Sequence, residues 1–240
     1  PLAAQEVGDE WVEPITGMEF VWVPGGCYEM GCGEWAGDCW ENEEAVHEVC
    51  VDGFWIGKFE VTGGQWRTLM PDRLILKYGD DDPVVWISWD QVQRFIMLLD
   101  LATVYRYDFR LPTNAEWEYA CRSGGRAETY AGGDDVDALA WNGWNSEMMQ
   151  PNQVGAKIPN GLGLYDMSGN VWELVEQSNY AFAQDESERS TSTDSSEYPE
   201  NEKRGGSFLF SGNASRCSCR IIAPQDYGQI DTGFRVVRND

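Results

Sequence analysis

Residues 110–125 read RLPTNAEWEYACRSGG, and most of the fold reading works outward from this stretch. Pro112 stands just ahead of Thr113, and Thr113 is followed three positions later by Glu116. That spacing is a capping box, in which hydroxyl and carboxylate each satisfy an orphan amide at a helix start, so a helix is expected to open here. Behind the cap stand Trp117, Tyr119 and Ala120. Large rings beside a small residue suit packing beneath loops. Two more boxes pair Thr62 with Gln65 and Ser88 with Gln91. After the latter, Val92, Phe95, Ile96 and Leu99 recur on one helical face. Short apolar or alternating runs, Phe20–Val23, Phe54–Val61, Ser207–Phe210 and Gly233–Val237, are bounded by Gly and Pro and read as strands. No repeat of roughly 20 to 50 residues is evident, which argues against solenoids and propellers. The class is α+β: loop-rich, with two to three helices and short antiparallel strands.

The 240 residues, 42% hydrophobic, are enough for one well-buried core. With 17 basic against 41 acidic residues the formal charge is -24, a field that repels phosphate and anionic lipid. Nucleic acid is therefore excluded as a partner class. No apolar run reaches the ~18 residues a membrane span needs, so membrane insertion by this chain is not expected. The N-terminal PLAAQEVGDEW shows no basic-then-apolar signal, and a leader removed earlier stays open. Residues 184–202, rich in Ser, Thr, Asp and Glu, read as an acidic solvated loop that cannot offset its ordering entropy by burial.

Seven cysteines leave one unmatched, and Cys27, Cys32, Cys39 and Cys50 crowd together. No CxxC pair is present and His47 is the single histidine, so tetrahedral zinc is a weak reading. Strand-like Gly26–Gly31 and His47–Phe54, laid side by side, oppose Cys27 to Cys50 and favour a disulfide, hence an exported, oxidising setting. Buried free thiols are the competing reading, and Cys121, beside Trp117 and Ala120, fits it best.

Six blocks occur in order: GMEFVWVPGG (17–26), HEVCVDGFWIGKFEVT (47–62), RLPTNAEWEYACRSGG (110–125), NGLGLYDMSGNVWEL (160–174), RGGSF (204–208) and TGFRVVR (232–238). Together they closely resemble the formylglycine-generating enzyme, or sulfatase-modifying factor, family from Gly17 to Arg238. The resemblance implies a C-type-lectin-like fold of the sulfatase-modifying type. It gives one domain over residues 17–240, with 1–16 as an N-terminal extension. Family enzymes oxidise a substrate cysteine with two copper-binding cysteines, one shortly after the GGS block and one five residues later. The matching positions are Phe210 and Ser215, neither of which supplies a thiolate, so no catalytic residue is assigned. The alternative is a rearranged copper pair at Cys217 and Cys219. An iron site of the sulfoxide-synthase kind needs several histidines, which His47 alone does not provide. The resemblance also offers a Ca²⁺ site at Asp166 and Glu173 with the carbonyls of Gly169 and Val171, an oxygen set that suits a hard cation. No other cofactor is implied.

The same blocks are similar to the variable proteins of diversity-generating retroelements, the treponemal ones above all. In these a C-terminal stretch is rewritten by mutagenesis at template adenines, and here that stretch is 204–235. Randomised AAY codons never give Lys, Glu, Met, Trp or Gln, and between Phe208 and Asp231 only Gln225 and Gln229 belong to those types. The expected ligand-binding residues are Phe208, Phe210, Ser211, Asn213, Cys217, Cys219, Ile221, Ile222, Ala223, Asp226, Tyr227 and Asp231. Apolar members in so loop-like a stretch suggest an exposed patch. The first expectation is a non-catalytic binding protein whose partner is an unknown protein or other surface ligand. It would be a cell-surface or outer-membrane lipoprotein, with its lipid anchor upstream of Pro1. A copper oxidase is the alternative, and a structural domain of a larger assembly the third.

Overall fold

The computed structural model describes residues 5–37, 39–40, 43, 45–71, 79–176, 200–224 and 228–239. Most of the acidic loop 184–202 therefore lies outside the described residues. Five strands, β1 (Glu10–Val12), β2 (Glu19–Val23), β5 (Phe54–Gly57), β11 (Val237–Asn239) and β6 (Phe109–Arg110), form the main sheet in the order β1-β2-β5-β11-β6. Every pairing in it is antiparallel. A second sheet has the order β10-β7-β8-β9, from β7 (Trp172–Leu174), β8 (Glu200–Arg204), β9 (Arg220–Pro224) and β10 (Thr232–Phe234). A hairpin joins β3 (Gly26–Met30) to β4 (His47–Val51).

Strand β2 is apolar at successive positions because both faces of the main sheet are covered. Phe20 and Trp22, with Trp55 of β5, face α1 (Gly63–Leu69) and α2 (Trp89–Ala102). Val21, Val23, Phe54, Ile56 and Val237 face α3 (Asn114–Cys121). Under the first face Trp66 and Phe95 stack 5.2 Å apart, with Phe234 edge-on to both. Burying a ring of this size stabilises the fold by about 1.5–3 kcal/mol. All three capping boxes form: Gln65, Gln91 and Glu116 return side-chain oxygens to the amides of Thr62, Ser88 and Thr113.

Several expectations are corrected. A fourth helix, α4 (Val136–Leu139), exists because Asp135 caps it through the Ala138 amide. One strand pair is parallel, β10 with β7. Ser207–Phe210 is a turn, and the expected closing strand 233–237 is broken between β10 and β11, so the chain passes there from one sheet to the other. Within the segment expected to be an N-terminal extension, Glu10–Val12 pair with β2 as an edge strand of the main sheet. The expected solvated loop ends earlier than 202, for Glu200 opens β8 and Asn201 is buried.

Cys27 and Cys50 are cross-strand partners and are bonded, as the strand reading expected. Cys32–Cys39 and Cys121–Cys217 are bonded too, which corrects the reading of Cys121 as a free thiol. Cys219 is the free cysteine, and it is buried. Among the described residues no helix is long and apolar enough to cross a membrane. Three disulfides are the chemistry of an oxidising compartment.

Non-reducing peptide mapping should return these three pairs, with Cys219 alkylated only after denaturation. The Cys121–Cys217 bond spans 96 residues of chain. Replacing both cysteines by alanine is expected to lower stability by about 4–5 kcal/mol, the loop-closure estimate for a loop of roughly that length. Unfolding in urea measures it, and a loss below about 1 kcal/mol would contradict this pairing.

Candidate functional site

The site rests on a buried polar frame at the crossover between the sheets. Arg235 follows β10 and turns inward with no solvent contact. Its guanidinium donates to both oxygens of Glu173, Nε to Oε2 at 2.7 Å and Nη2 to Oε1 at 2.6 Å. The remaining donors reach the carbonyls of Gly57 and Tyr165, each at 3.0 Å. The Trp117 indole also donates to Glu173 Oε2, at 2.7 Å. One carboxylate on β7 thus ties α3 to the chain entering β11.

Beside it lies a tight turn. Gly169 has φ +85°, and a Cβ there would strike the Trp141 backbone, so glycine is required on two counts. Asn170 follows at φ 60°, and its side-chain amide donates to Glu60 Oε2 at 2.9 Å and to the Asn152 carbonyl at 3.2 Å. Glu60 Oε1 accepts from the Val171 amide at 3.2 Å. Burial, and then the facing charges of Asp166 and Glu173, push the Glu60 carboxyl well above the usual carboxylate range. Burial likewise raises Asp166 to about 6. Asp166 Oδ2 accepts from the Gly155 amide at 2.6 Å, whereas its buried Oδ1 has no hydrogen-bond partner. Three buried carboxylates therefore stand against one guanidinium, with an oxygen left over. Of the expected calcium ligands, Asp166 fits a cation by this orphaned atom, while Glu173 has both oxygens engaged by Arg235 and Trp117.

The positions matching the family's copper cysteines carry no sulfur. Phe210 is 42% exposed and meets Trp172 edge-on, with ring centroids 5.6 Å apart. Ser215 is fully buried. A substitute pair at Cys217 and Cys219 does not fit this arrangement: Cys217 is bonded to Cys121, and burial pushes the Cys219 thiol up to about 12. The weak zinc reading fails in the same way, since Cys27, Cys32, Cys39 and Cys50 are all in disulfides. Glu43, whose carboxylate approaches Cys32 and Cys39, is paired with Arg216 at 2.7 Å.

Above this frame the C-terminal segment divides into inward and outward side chains. The Phe208 amide donates to the Asn170 carbonyl at 2.8 Å, and its ring is buried against Val85 and Val171. Ser207 Oγ donates to Asp231 Oδ2 at 2.8 Å, fixing one end of the segment to the other. Arg216 lies below, donating to the carbonyls of Asn213 and Ala36 and to Glu43. The exposed-patch expectation is thus corrected for Phe208, Cys217, Cys219 and Asp231, all of which are buried. Ile221 is half-buried against Trp172, Ala214 and Cys219. Phe210, Ser211, Asn213 and Ile222 are exposed, Ile222 by 64%. The Ala223 side chain, Asp226 and Tyr227 lie outside the described residues.

Sequence reasoning missed four contributors. Trp144, 85% exposed, follows Gly143, whose amide donates to the Phe210 carbonyl at 2.7 Å. Glu60 and Arg216 are buried beneath the surface as described above. Lys203, buried on β8, donates to Gln229 Oε1 at 2.6 Å and Thr232 Oγ1 at 3.0 Å, and burial lowers its amine to about 8. The visible signal was a scatter of bases in a very acidic chain, which gave no partner for any of them.

Glu173→Gln preserves shape but takes from the buried Arg235 the one carboxylate that it grips through two hydrogen bonds. The expected loss is about 3–5 kcal/mol in urea unfolding. A loss under about 1 kcal/mol would show that the frame does not depend on this pair.

Comparison with known proteins agrees with this geometry. The family model of the sulfatase-modifying factor enzyme 1-like domain matches residues 8–240. The chaperone protein LppX of Paenibacillus barcinonensis is 30% identical over 174 residues, covering 52% of this chain and 62% of its own. The formylglycine-generating enzyme of Streptomyces coelicolor is 34% identical over 135 residues, covering 50% of this chain and 39% of its own. The mouse formylglycine-generating enzyme is 28% identical over 208 residues, covering 79% of this chain and 52% of its own. The chain thus spans between 39% and 62% of the length of these relatives. Among solved structures, PvdO from Pseudomonas aeruginosa superposes with TM-score 0.82 at 23% identity, covering 99% of this chain and 100% of its own. Treponema denticola variable protein 1 superposes with TM-score 0.75 at 20% identity, covering 97% and 99%. At these identities the likeness to the solved structures is one of fold. By the family match over nearly its whole length, the chain belongs to the sulfatase-modifying factor enzyme 1-like domain family.

Proposed function

We propose that this domain is a non-catalytic, surface-displayed binding protein, whose ligand site is a retroelement-diversified face carried on a fixed C-type-lectin-like scaffold. One observation carries the reading. Where the family's oxidases place reactive sulfurs this chain has Phe210 and Ser215, and around them Phe210, Ser211, Asn213 and Ile222 point outward from a buried frame. Rings and aliphatic groups supply contact area, and small polar groups adapt hydrogen bonds, as in antibody loops. The fold shared with Treponema denticola variable protein 1 supports this reading. So does the codon-compatible composition between Phe208 and Asp231. Three disulfides fit an exported protein. A lipid anchor upstream of Pro1 would hold it at the outer membrane or cell surface.

No cofactor takes part in binding on this reading. Calcium has a structural role, in which Asp166 Oδ1 with the carbonyls of Gly169 and Val171 would hold the ion. Its charge would offset the carboxylates that Arg235 alone leaves in excess. Adding Ca²⁺ to protein stripped with a chelator should raise Tm by several degrees, and Asp166→Asn should abolish the rise. An unchanged Tm in the unmutated chain would remove calcium from the account.

Exposed positions should accept change. Ser211→Tyr, Asn213→Asp and Ile222→Thr are each expected to shift stability by no more than about 0.5 kcal/mol. Phe208→Ala, from the buried side of the same turn, should cost about 3–5 kcal/mol. Calorimetric unfolding distinguishes the two classes, and equal losses in both would count against a variable face. Copper-dependent oxidation of a thiol peptide by the purified chain would overturn the non-catalytic reading.

A further inference from the structure

The exposed aromatic side chains of this face are held on ordered backbone. Trp144 is 85% exposed, yet its amide donates to Asn142 Oδ1 at 2.9 Å, and the Asn142 amide donates to Asn145 Oδ1 at 2.8 Å. Asn142 itself is buried. The Gly143–Phe210 bond stitches this loop to the variable turn, so Trp144 and Phe210 stand on adjacent backbone, and both side chains are exposed. Helix α4 completes it, because Gly212 packs directly on Val136.

The charges on these elements are one-sided. Between residues 134 and 149 every charged side chain is acidic, namely Asp134, Asp135, Asp137 and Glu147, and all four are exposed. Residues 207–213 carry no charge. Among the described residues, bases near the patch already have partners: Lys157 Nζ donates to the Asp137 carbonyl and sits 4.1 Å from the Trp141 ring centroid, Arg220 pairs with Glu202, and Arg216 is buried beneath. Exposed indole and phenyl faces in a negative field attract cations, and the whole-chain charge of -24 steers them inward.

Resting on the reading of this face as a binding surface, we infer that its occupant is a basic polypeptide segment of a partner protein. Its Lys or Arg side chains lie over Trp144 and Phe210, within reach of Asp137 and Glu147. Ser211 and Asn213 offer hydrogen bonds to peptide groups, which favours a polypeptide over the other cation of similar chemistry, a choline headgroup.

The test is calorimetric titration of the full chain with a synthetic peptide of alternating Lys, Arg and Gly, and with its Glu-containing counterpart. The basic peptide should bind and the acidic one should not. Trp144→Ala, and separately Asp137→Asn with Glu147→Gln, should each weaken binding about tenfold or more. Asp52→Asn with Asp90→Asn removes the same charge at other exposed positions and should change affinity less than about twofold. Equal weakening by both neutralised pairs, indifference to Trp144→Ala, or binding of phosphatidylcholine vesicles in place of the peptide overturns the inference. None of these outcomes touches the binding-face reading, which falls through copper-dependent turnover or intolerance of the exposed turn positions.

Discussion

A guanidinium and a carboxylate, both cut off from water, hold this molecule in register. Arg235 and Glu173 meet where the chain leaves the smaller sheet for the larger one, and neither sheet's backbone ladder can serve both sides of that step. The arginine solves the problem by its number of donors: two reach the carboxylate, and others reach the carbonyls of Gly57 in β5 and of Tyr165 in the loop ahead of the Gly169–Asn170 turn. A buried pair of this kind adds little net stability, since both ions lose hydration, but a mismatch leaves an uncompensated charge inside the protein. Its main effect is therefore on the alternatives it penalises. Any slip of the crossover or of α3, whose Trp117 shares the same carboxylate, strands one of the groups.

From that constraint follows the division of the C-terminal segment. Its ends are fixed to each other by Ser207 and Asp231, its base to the conformationally restricted turn at Gly169–Asn170, and its middle to α3 by a disulfide. Anchored at these points, the remaining positions are left with solvent on one side. On the proposed reading they can change chemistry at little cost to what lies below, although the Phe210 ring also rests edge-on against buried Trp172. In an oxidase of this family the same scaffold would hold reactive sulfurs still. Here it carries Phe210 and Ser215 in their place, with a carboxylate-rimmed aromatic surface beside them.

Local physics was readable in the sequence, and long-range geometry was not. The three helix starts could be read because a capping box is complete within four residues. Cys27–Cys50 could be read because two short strands near each other in the chain, laid antiparallel, set the two cysteines opposite one another. Cys121–Cys217 could not, since its partners lie 96 residues apart and no local pattern joins them. The parallel pairing of β10 with β7 was hidden for the same reason. Phe208 and Phe210 were indistinguishable beforehand because the strand reading of 207–210 puts both on one face, whereas the segment is a turn that sends one ring inward and the other out. Trp144 escaped notice because its role comes from the loop it is stitched to, far away in the chain. The family resemblance covered what spacing could not, and it also proposed Glu173 as a metal ligand where the structure gives it to Arg235.

The central claim is that the outward face is energetically separate from the frame that carries it. Amide hydrogen exchange, comparing the unmutated chain with one bearing Phe210→Ser, Asn213→Tyr and Ile222→Asp together, tests it most directly. The account predicts unchanged protection in β5, α3, β7 and β11, with differences confined to residues 207–224. Loss of protection spreading into those four elements would contradict it.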